Sequence, residues 1–162
     1  MLFSRQRVEV GQFVVISGVT LNAHTTYEVF NHEHRILRTG VENLRRALAQ
    51  NAPGSESELL EHVATVRARL AVHFGFEEEF GFKHYLGAIQ PSVTPAVDRL
   101  HAAHREILTT LERVLTSLQN GLPRAAVRPT LFSMLERLAH HELDEHQLLR
   151  SALRGPALPQ HA

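Results

Sequence analysis

Leu70-Ala71-Val72-His73-Phe74-Gly75-Phe76-Glu77 and Leu138-Ala139-His140-His141-Glu142-Leu143-Asp144-Glu145 decide how this chain is read. Each stretch presents a histidine and, four residues later, a glutamate. On a helix that spacing places both side chains on one face, one turn apart. An imidazole and a carboxylate converging from one face can hold one side of a metal ion. Two such pairs can hold two ions, or one ion between them.

Both pairs sit inside longer helical patterns. Before the first pair, Leu59, Val63, Val66 and Leu70 lead into His73, Glu77 and Phe80 at spacings of three and four. Around the second, the stripe is Leu131, Met134, Leu138, His141, Glu145, Leu148 and Ala152. Two more stripes complete the chain. One is Tyr27, Phe30, His34, Leu37, Val41, Leu44 and Leu48; the other is Val97, His101, His104, Leu108, Leu111, Leu115 and Leu118.

The breaks between them are short. Asn51-Ala52-Pro53-Gly54 and Asn120-Gly121-Leu122-Pro123 are breaker clusters, and Gly87 and Pro91 close the second stripe. Ser55 with Glu58 resembles a capping box, and Thr94-Pro95 reads as an N-cap followed by a first-turn proline. Pro129 falls in the first turns of the last helix, where proline is tolerated. The expected fold is all-α, an up-down-up-down four-helix bundle over residues 25–155. Residues 1–24 form an N-terminal extension and residues 156–162 a C-terminal tail. In the extension, Arg7-Val8-Glu9-Val10 and Phe13-Val14-Val15-Ile16 suit either two strands of a β-hairpin or an irregular segment packed on the body.

Composition narrows the function. Lys plus Arg and Asp plus Glu are both 17, and that balance argues against a nucleic-acid surface. With no cysteine, disulfides, thiolate metal sites and cysteine nucleophiles are excluded. No run has the apolar length of a membrane span, and no signal peptide is read, so the expected location is cytoplasmic. Twelve histidines are the anomaly.

The histidines and glutamates occupy the core stripes themselves. Buried carboxylates cost several kcal/mol unless compensated, and a metal is the simplest partner for them. His34 and His73 both lie roughly 25 Å from the first breaker cluster at the helical rise per residue. By the same reckoning His104 and His141 lie roughly 26 Å from the second. All four ligand-bearing stretches can therefore meet in one layer. Imidazole and carboxylate without thiolate suit iron, manganese or zinc. Six or seven donors exceed a zinc site and fit two ions, with Glu77 and Glu145 placed to bridge. Glu78, Glu79, Glu142 and Asp144 read as solvated flanks, any of which can orient a ligand histidine. His24, His32, His62, His84, His140, His146 and His161 read as surface or outer-shell residues.

A histidine in the first helix, His-x-x-x-Glu in the second, a histidine in the third and His-x-x-x-Glu in the fourth resemble the hemerythrin-like, or HHE cation-binding, domains. The resemblance spans about residues 25–153. It implies two iron ions with an oxo or hydroxo bridge, held by His34, His73, Glu77, His104, His141 and Glu145. The oxygen-carrier members have His-x-x-x-His on the third helix; here the pair is His101-Ala102-Ala103-His104, one residue short. Leu100 holds the position of the fifth histidine, so His101 serves from a shifted angle, or water or another group such as His24, Tyr27 or His62 takes its place. Such a site can bind or sense O2 or NO. It can instead turn over peroxide or NO as an enzyme, handle or repair iron centres, or hold a structural zinc. The favoured expectation is a protein that reacts with O2 or a related small oxidant. The extension can cover the site or form a homodimer contact.

Overall fold

The computed structural model describes residues 13–16, 19–50, 55–79 and 91–153. Four helices carry it: α1 Ala23–Ala49, α2 Ser55–Phe76, α3 Thr94–Gln119 and α4 Arg124–Leu153. α1 packs on α2, α2 on α3 and α3 on α4, as expected for consecutive antiparallel neighbours. No helix among the described residues is long and apolar enough to cross a membrane.

Two strands precede the bundle. Phe13–Ile16 (β1) pairs antiparallel with Val19–Asn22 (β2), Ile16 opposite Val19. The hairpin thus exists, but its second strand follows β1 rather than preceding it. Val19-Thr20-Leu21-Asn22 alternates apolar and polar residues, which suits a strand as well as Arg7–Val10 does. Arg7–Val10 lies outside the described residues. So do Asn51–Gly54, Phe80, His84, Gly87, Gly155, Pro156 and His161, and the side chains of His24, Tyr27, Phe30 and Ser55.

The core follows the expected stripes on three helices. Leu37, Leu44 and Leu48 of α1, Leu59, Val63, Val66 and Leu70 of α2, and Leu131, Met134 and Leu138 of α4 are buried in one apolar cluster. On α3 the buried face differs. Leu100, Ile107 and Val114 are buried, whereas His101 and Leu108 are only partly so. Each lies one residue, about 100°, from its neighbour in the expected stripe, so α3 is turned relative to that reading. Packing of α3 against both α2 and α4 selects this rotation.

Helix ends explain the connections. Gly121 adopts φ 80, a left-handed conformation that costs a residue with a Cβ about 1–2 kcal/mol. Its amide donates to the Leu118 carbonyl at 3.0 Å, and Leu122 donates to Ser117 at 2.9 Å. This pair of bonds is the Schellman closure of α3. The start of α3 differs from expectation. A 3-10 turn, Pro91–Val93, runs into the helix, Val93 is the cap residue, and Thr94 is already helical with Pro95 behind it. Val93 can supply no side-chain cap, and the tighter turn leads the chain into α3 instead.

Surface clips hold neighbouring helices in register. Arg69 donates to the Ile36 carbonyl at 3.2 Å, Arg67 pairs with Glu112 at 3.0 Å, and Arg137 pairs with Glu106. Exposed pairs of this kind contribute at most about 1 kcal/mol each, so they align helices that the core already holds together.

Candidate metal centre

One turn beyond the main core, the buried stripes of all four helices become polar together. His34 of α1, His73 and Glu77 at the end of α2, His104 of α3, and His141 and Glu145 of α4 are all buried, the two glutamates completely. Beyond them Val93, Val97, Leu100 and Leu148 form a second apolar cluster. On the α3 and α4 side the polar layer therefore lies between two apolar clusters, and apolar lining removes water that would otherwise solvate its charges.

Local structure sets how α2 meets this layer. The helix widens into a π-helical turn over residues 77–79. Such turns are rare and occur frequently at functional sites, because the extra residue re-aims side chains. Here the turn begins at Glu77, and Glu78, one residue on, reaches α3. Its Oε1 lies 2.9 Å from Nδ1 of His104.

The donor atoms converge in two groups. His34, His73, Glu77 and Glu145 offer ligand atoms within 4.8 Å of one another; so do Glu77, His104 and His141. Glu77 belongs to both. Its Oε1 lies 2.8 Å from His73 Nε2 and 3.7 Å from His34 Nε2, while Oε2 lies 3.3 Å from His104 Nε2. Glu145 lies 3.2 Å from His34 Nε2 and belongs to the first group only. Nε2 of His104 and Nε2 of His141 face each other at 3.1 Å. Adjacent ligands on one ion with metal–nitrogen bonds of about 2.1 Å are separated by roughly this distance.

The layer is under-satisfied without a cation. Both nitrogens of His34, Nδ1 of His73 and of His141, and all four oxygens of Glu77 and Glu145 are buried without a well-formed hydrogen bond. Native structures rarely leave such groups unpaired. The proton affinities reflect the same crowding. Burial lowers the His34 pKa, but Glu145 and Glu77 outweigh it and raise the value to about 10. Burial, and after it the His104 ring, lower His141 to about 4, so this imidazole is neutral near pH 7. Burial also raises Glu145, against the pull of His34. Burial would raise Glu77 as well, but the surrounding His104, His34 and His73 hold it well below the usual carboxylate range. Donors so crowded and so poorly hydrogen-bonded fit a cation that would accept their lone pairs.

Six of the seven residues read from the sequence as ligands meet here. His101 does not join either group. Its ring centroid lies 5.9 Å from that of His104, it is half-buried, and its Nε2 is buried without a hydrogen-bond partner. The rotation of α3 turns Leu100 inward and carries His101 to the side. His62, another candidate for the fifth position, pairs with Glu58 of its own helix at 3.6 Å.

Two contacts were not legible from the stripes. Phe74 stacks on His104 with centroids 3.9 Å apart and meets His141 edge-on at 5.3 Å. Its place beside His73 puts it on the α3 side of α2, a signal that only the helix order makes usable. His146 lies 5.3 Å from the His34 ring, and its Nδ1 donates to the Glu142 carbonyl at 2.7 Å.

No curated protein and no solved structure matches the chain significantly. The hemerythrin HHE cation binding domain does match, over residues 25–153, the span that holds all six converging donors. With that match over most of its length, and a buried layer of histidine and glutamate crossing all four helices, the chain belongs to the hemerythrin HHE cation-binding domain family.

Proposed function

We propose that this chain is a non-haem di-iron protein that binds, or reacts with, O2 or a related small oxidant such as NO or peroxide. One observation carries the reading: two groups of buried donors share the Glu77 carboxylate, one oxygen facing each group. His34, His73 and Glu145 would hold one ion, His104 and His141 the other, with Glu77 across both. Nitrogen and oxygen donors without thiolate suit iron, and six donors exceed the four of a closed zinc site. Two ferrous ions would supply two electrons to an oxidant.

The protein's own residues prepare the centre. Glu78, accepting from Nδ1–H of His104, fixes the tautomer that turns the Nε2 lone pair inward. Phe74 keeps the His104 and His141 rings in place and, with the two apolar clusters, keeps bulk water out. Replacing Glu78 by glutamine should lower affinity for the ion in the His104 half by about 10–100-fold, the usual effect of losing an outer-shell partner. Competitive titration against a chelator measures it, and the His34 half should keep its affinity.

Metal loading should also release protons. The metal-free site holds a proton on His34, whose pKa of about 10 is raised above the usual histidine value. That proton stabilises the metal-free fold fully below the unfolded pKa, and the stabilisation is lost as pH rises through the folded one. A ligand imidazole must be neutral, so apparent metal affinity should rise with pH between 7 and 9, about tenfold per unit for one displaced proton. A flat affinity over this range would show that His34 is already neutral.

The test of the reading is direct. Protein produced with ample iron should contain two irons per chain and show the near-ultraviolet absorption of a coupled ferric pair. Zinc alone, or no metal, would overturn it. Stopped-flow mixing of the reduced protein with O2, peroxide and NO then separates reversible binding from turnover.

A further inference from the structure

The histidines of the layer are not equally supported from behind. An imidazole that gives one nitrogen to a metal keeps an N–H on the other, and metal sites almost always supply that N–H with an acceptor. On His104 the acceptor is Glu78, 2.9 Å from Nδ1. On His34 it is Nε2 that faces the carboxylates, 3.2 Å from Glu145 and 3.7 Å from Glu77. Nδ1 of His34 is buried and has no hydrogen-bond partner.

His146 is placed to supply one. It follows Glu145 directly on α4, and one residue turns a helix by about 100°. Glu145 therefore points into the layer while His146 leaves the helix on the flank beside His34 of α1. The two rings lie 5.3 Å apart, centroid to centroid, with their planes 34° from parallel. Two imidazoles joined edge to edge by one hydrogen bond of about 2.9 Å have centroids roughly 5 Å apart, so the separation suits such a bond. The helix itself sets the tautomer of His146. A carbonyl oxygen can only accept, so Nδ1 carries the proton that His146 places on the Glu142 carbonyl at 2.7 Å. In the neutral ring Nε2 is then left with a lone pair. The same contact folds the side chain back along α4 and restrains its plane. His146 is half-buried, which limits competition from water.

We infer that His146 is the acceptor that holds His34: Nε2 of His146 takes the Nδ1–H of His34 when His34 Nε2 binds a metal. The Glu142 carbonyl, His146 and His34 then form one chain of hydrogen bonds ending at the ion. His146 is a positioning residue, and it joins neither group of converging donors. The inference rests on His34 being a metal ligand, not on which metal is bound. It makes α4 act twice on the His34 half, directly through Glu145 and from behind through His146. The His104 half is instead backed from α2, by Glu78.

Zinc is the probe, because it accepts imidazole and carboxylate and leaves the protein diamagnetic. Nuclear magnetic resonance of zinc-loaded protein with isotope-labelled histidine should show the His34 Nδ1–H protected from exchange and coupled to Nε2 of His146. His146→Leu should remove that signal and weaken zinc in the His34 half by about 10–100-fold in competitive titration. The Nδ1–H of His104, held by Glu78, should not change and serves as the internal control. His146→Gln should restore most of the affinity, since an amide can donate to the Glu142 carbonyl and still accept from His34. Circular dichroism checks that both variants fold. If leucine binds zinc as the parent does, or glutamine does no better than leucine, His146 only packs against His34 and the inference is wrong. A His146 Nε2 signal shifted by direct zinc binding would also overturn it. If zinc leaves the His34 signals of the parent unmoved, His34 is no ligand, and the metal reading fails first.

Discussion

Glu77→Ala should strip both ions from the protein, whereas Glu145→Ala should strip one. Glu77 is completely buried, its two oxygens face opposite groups, and it belongs to both. Glu145 approaches only His34 and belongs only to the first. Losing a shared direct donor should cost each position more than the about 10–100-fold attached to outer-shell partners. Elemental analysis after dialysis should find essentially metal-free Glu77→Ala protein. The Glu145→Ala protein should keep metal in the His104 half. Equal losses in the two variants would mean that both carboxylates bridge, as the sequence alone suggests. The fold itself should survive Glu77→Ala. Removing one member of a buried ionic cluster costs about 3–5 kcal/mol, but most of the stability lies in the apolar clusters beside the layer, and circular dichroism checks that the variant is folded.

Removing the metal from the unaltered protein should lower its melting temperature by roughly 8–16 °C per tightly held ion. The figure combines about 4 kcal/mol of linkage at a free metal concentration 1,000 times Kd with about 2–4 °C per kcal/mol for a chain of this size. The structural reason is the state of the layer without a cation. Eight buried donor atoms of His34, His73, Glu77, His141 and Glu145 lack a well-formed hydrogen bond. In the metal-free state the His34 imidazole supplies positive charge instead, raised to about 10 by Glu145 and Glu77. One proton cannot satisfy two carboxylates and four imidazoles. Differential scanning calorimetry with and without a chelator measures the shift, and re-addition of ferrous iron should restore it. A melting temperature indifferent to chelation would show that the layer is stable on its own hydrogen bonds.

The four helices and their order were legible in the sequence because each stripe alternates spacings of three and four between clear breakers. The donors on α1, α2 and α4 were legible for the same reason. His34, His73, Glu77, His141 and Glu145 interrupt stripes whose other members have no competing face. The third helix was different. Leu100, Ile107, Val114 and His101, Leu108, Leu115 are both apolar rows at helical spacing, one residue apart. Periodicity alone does not choose between them. Packing against α2 and α4 does, and it buries the first row. His104 is buried in either rotation, whereas His101 and Leu108 of the second row are only partly buried and Leu115, farther along, stays in the core.

The sequence by itself determined the bundle, the family and the level at which polar side chains enter the core. Those depend on local spacing and on the cost of burying unpaired charge, and both can be counted along the chain. Only the tertiary structure decided how the donors divide. The rotation of α3 and the π-helical turn at Glu77 set which atoms come within reach of which. From them follow the sharing of Glu77, the one-sided place of Glu145 and the hold of Glu78 on His104. Each is a relation between helices, fixed by the packing of side chains far apart in sequence.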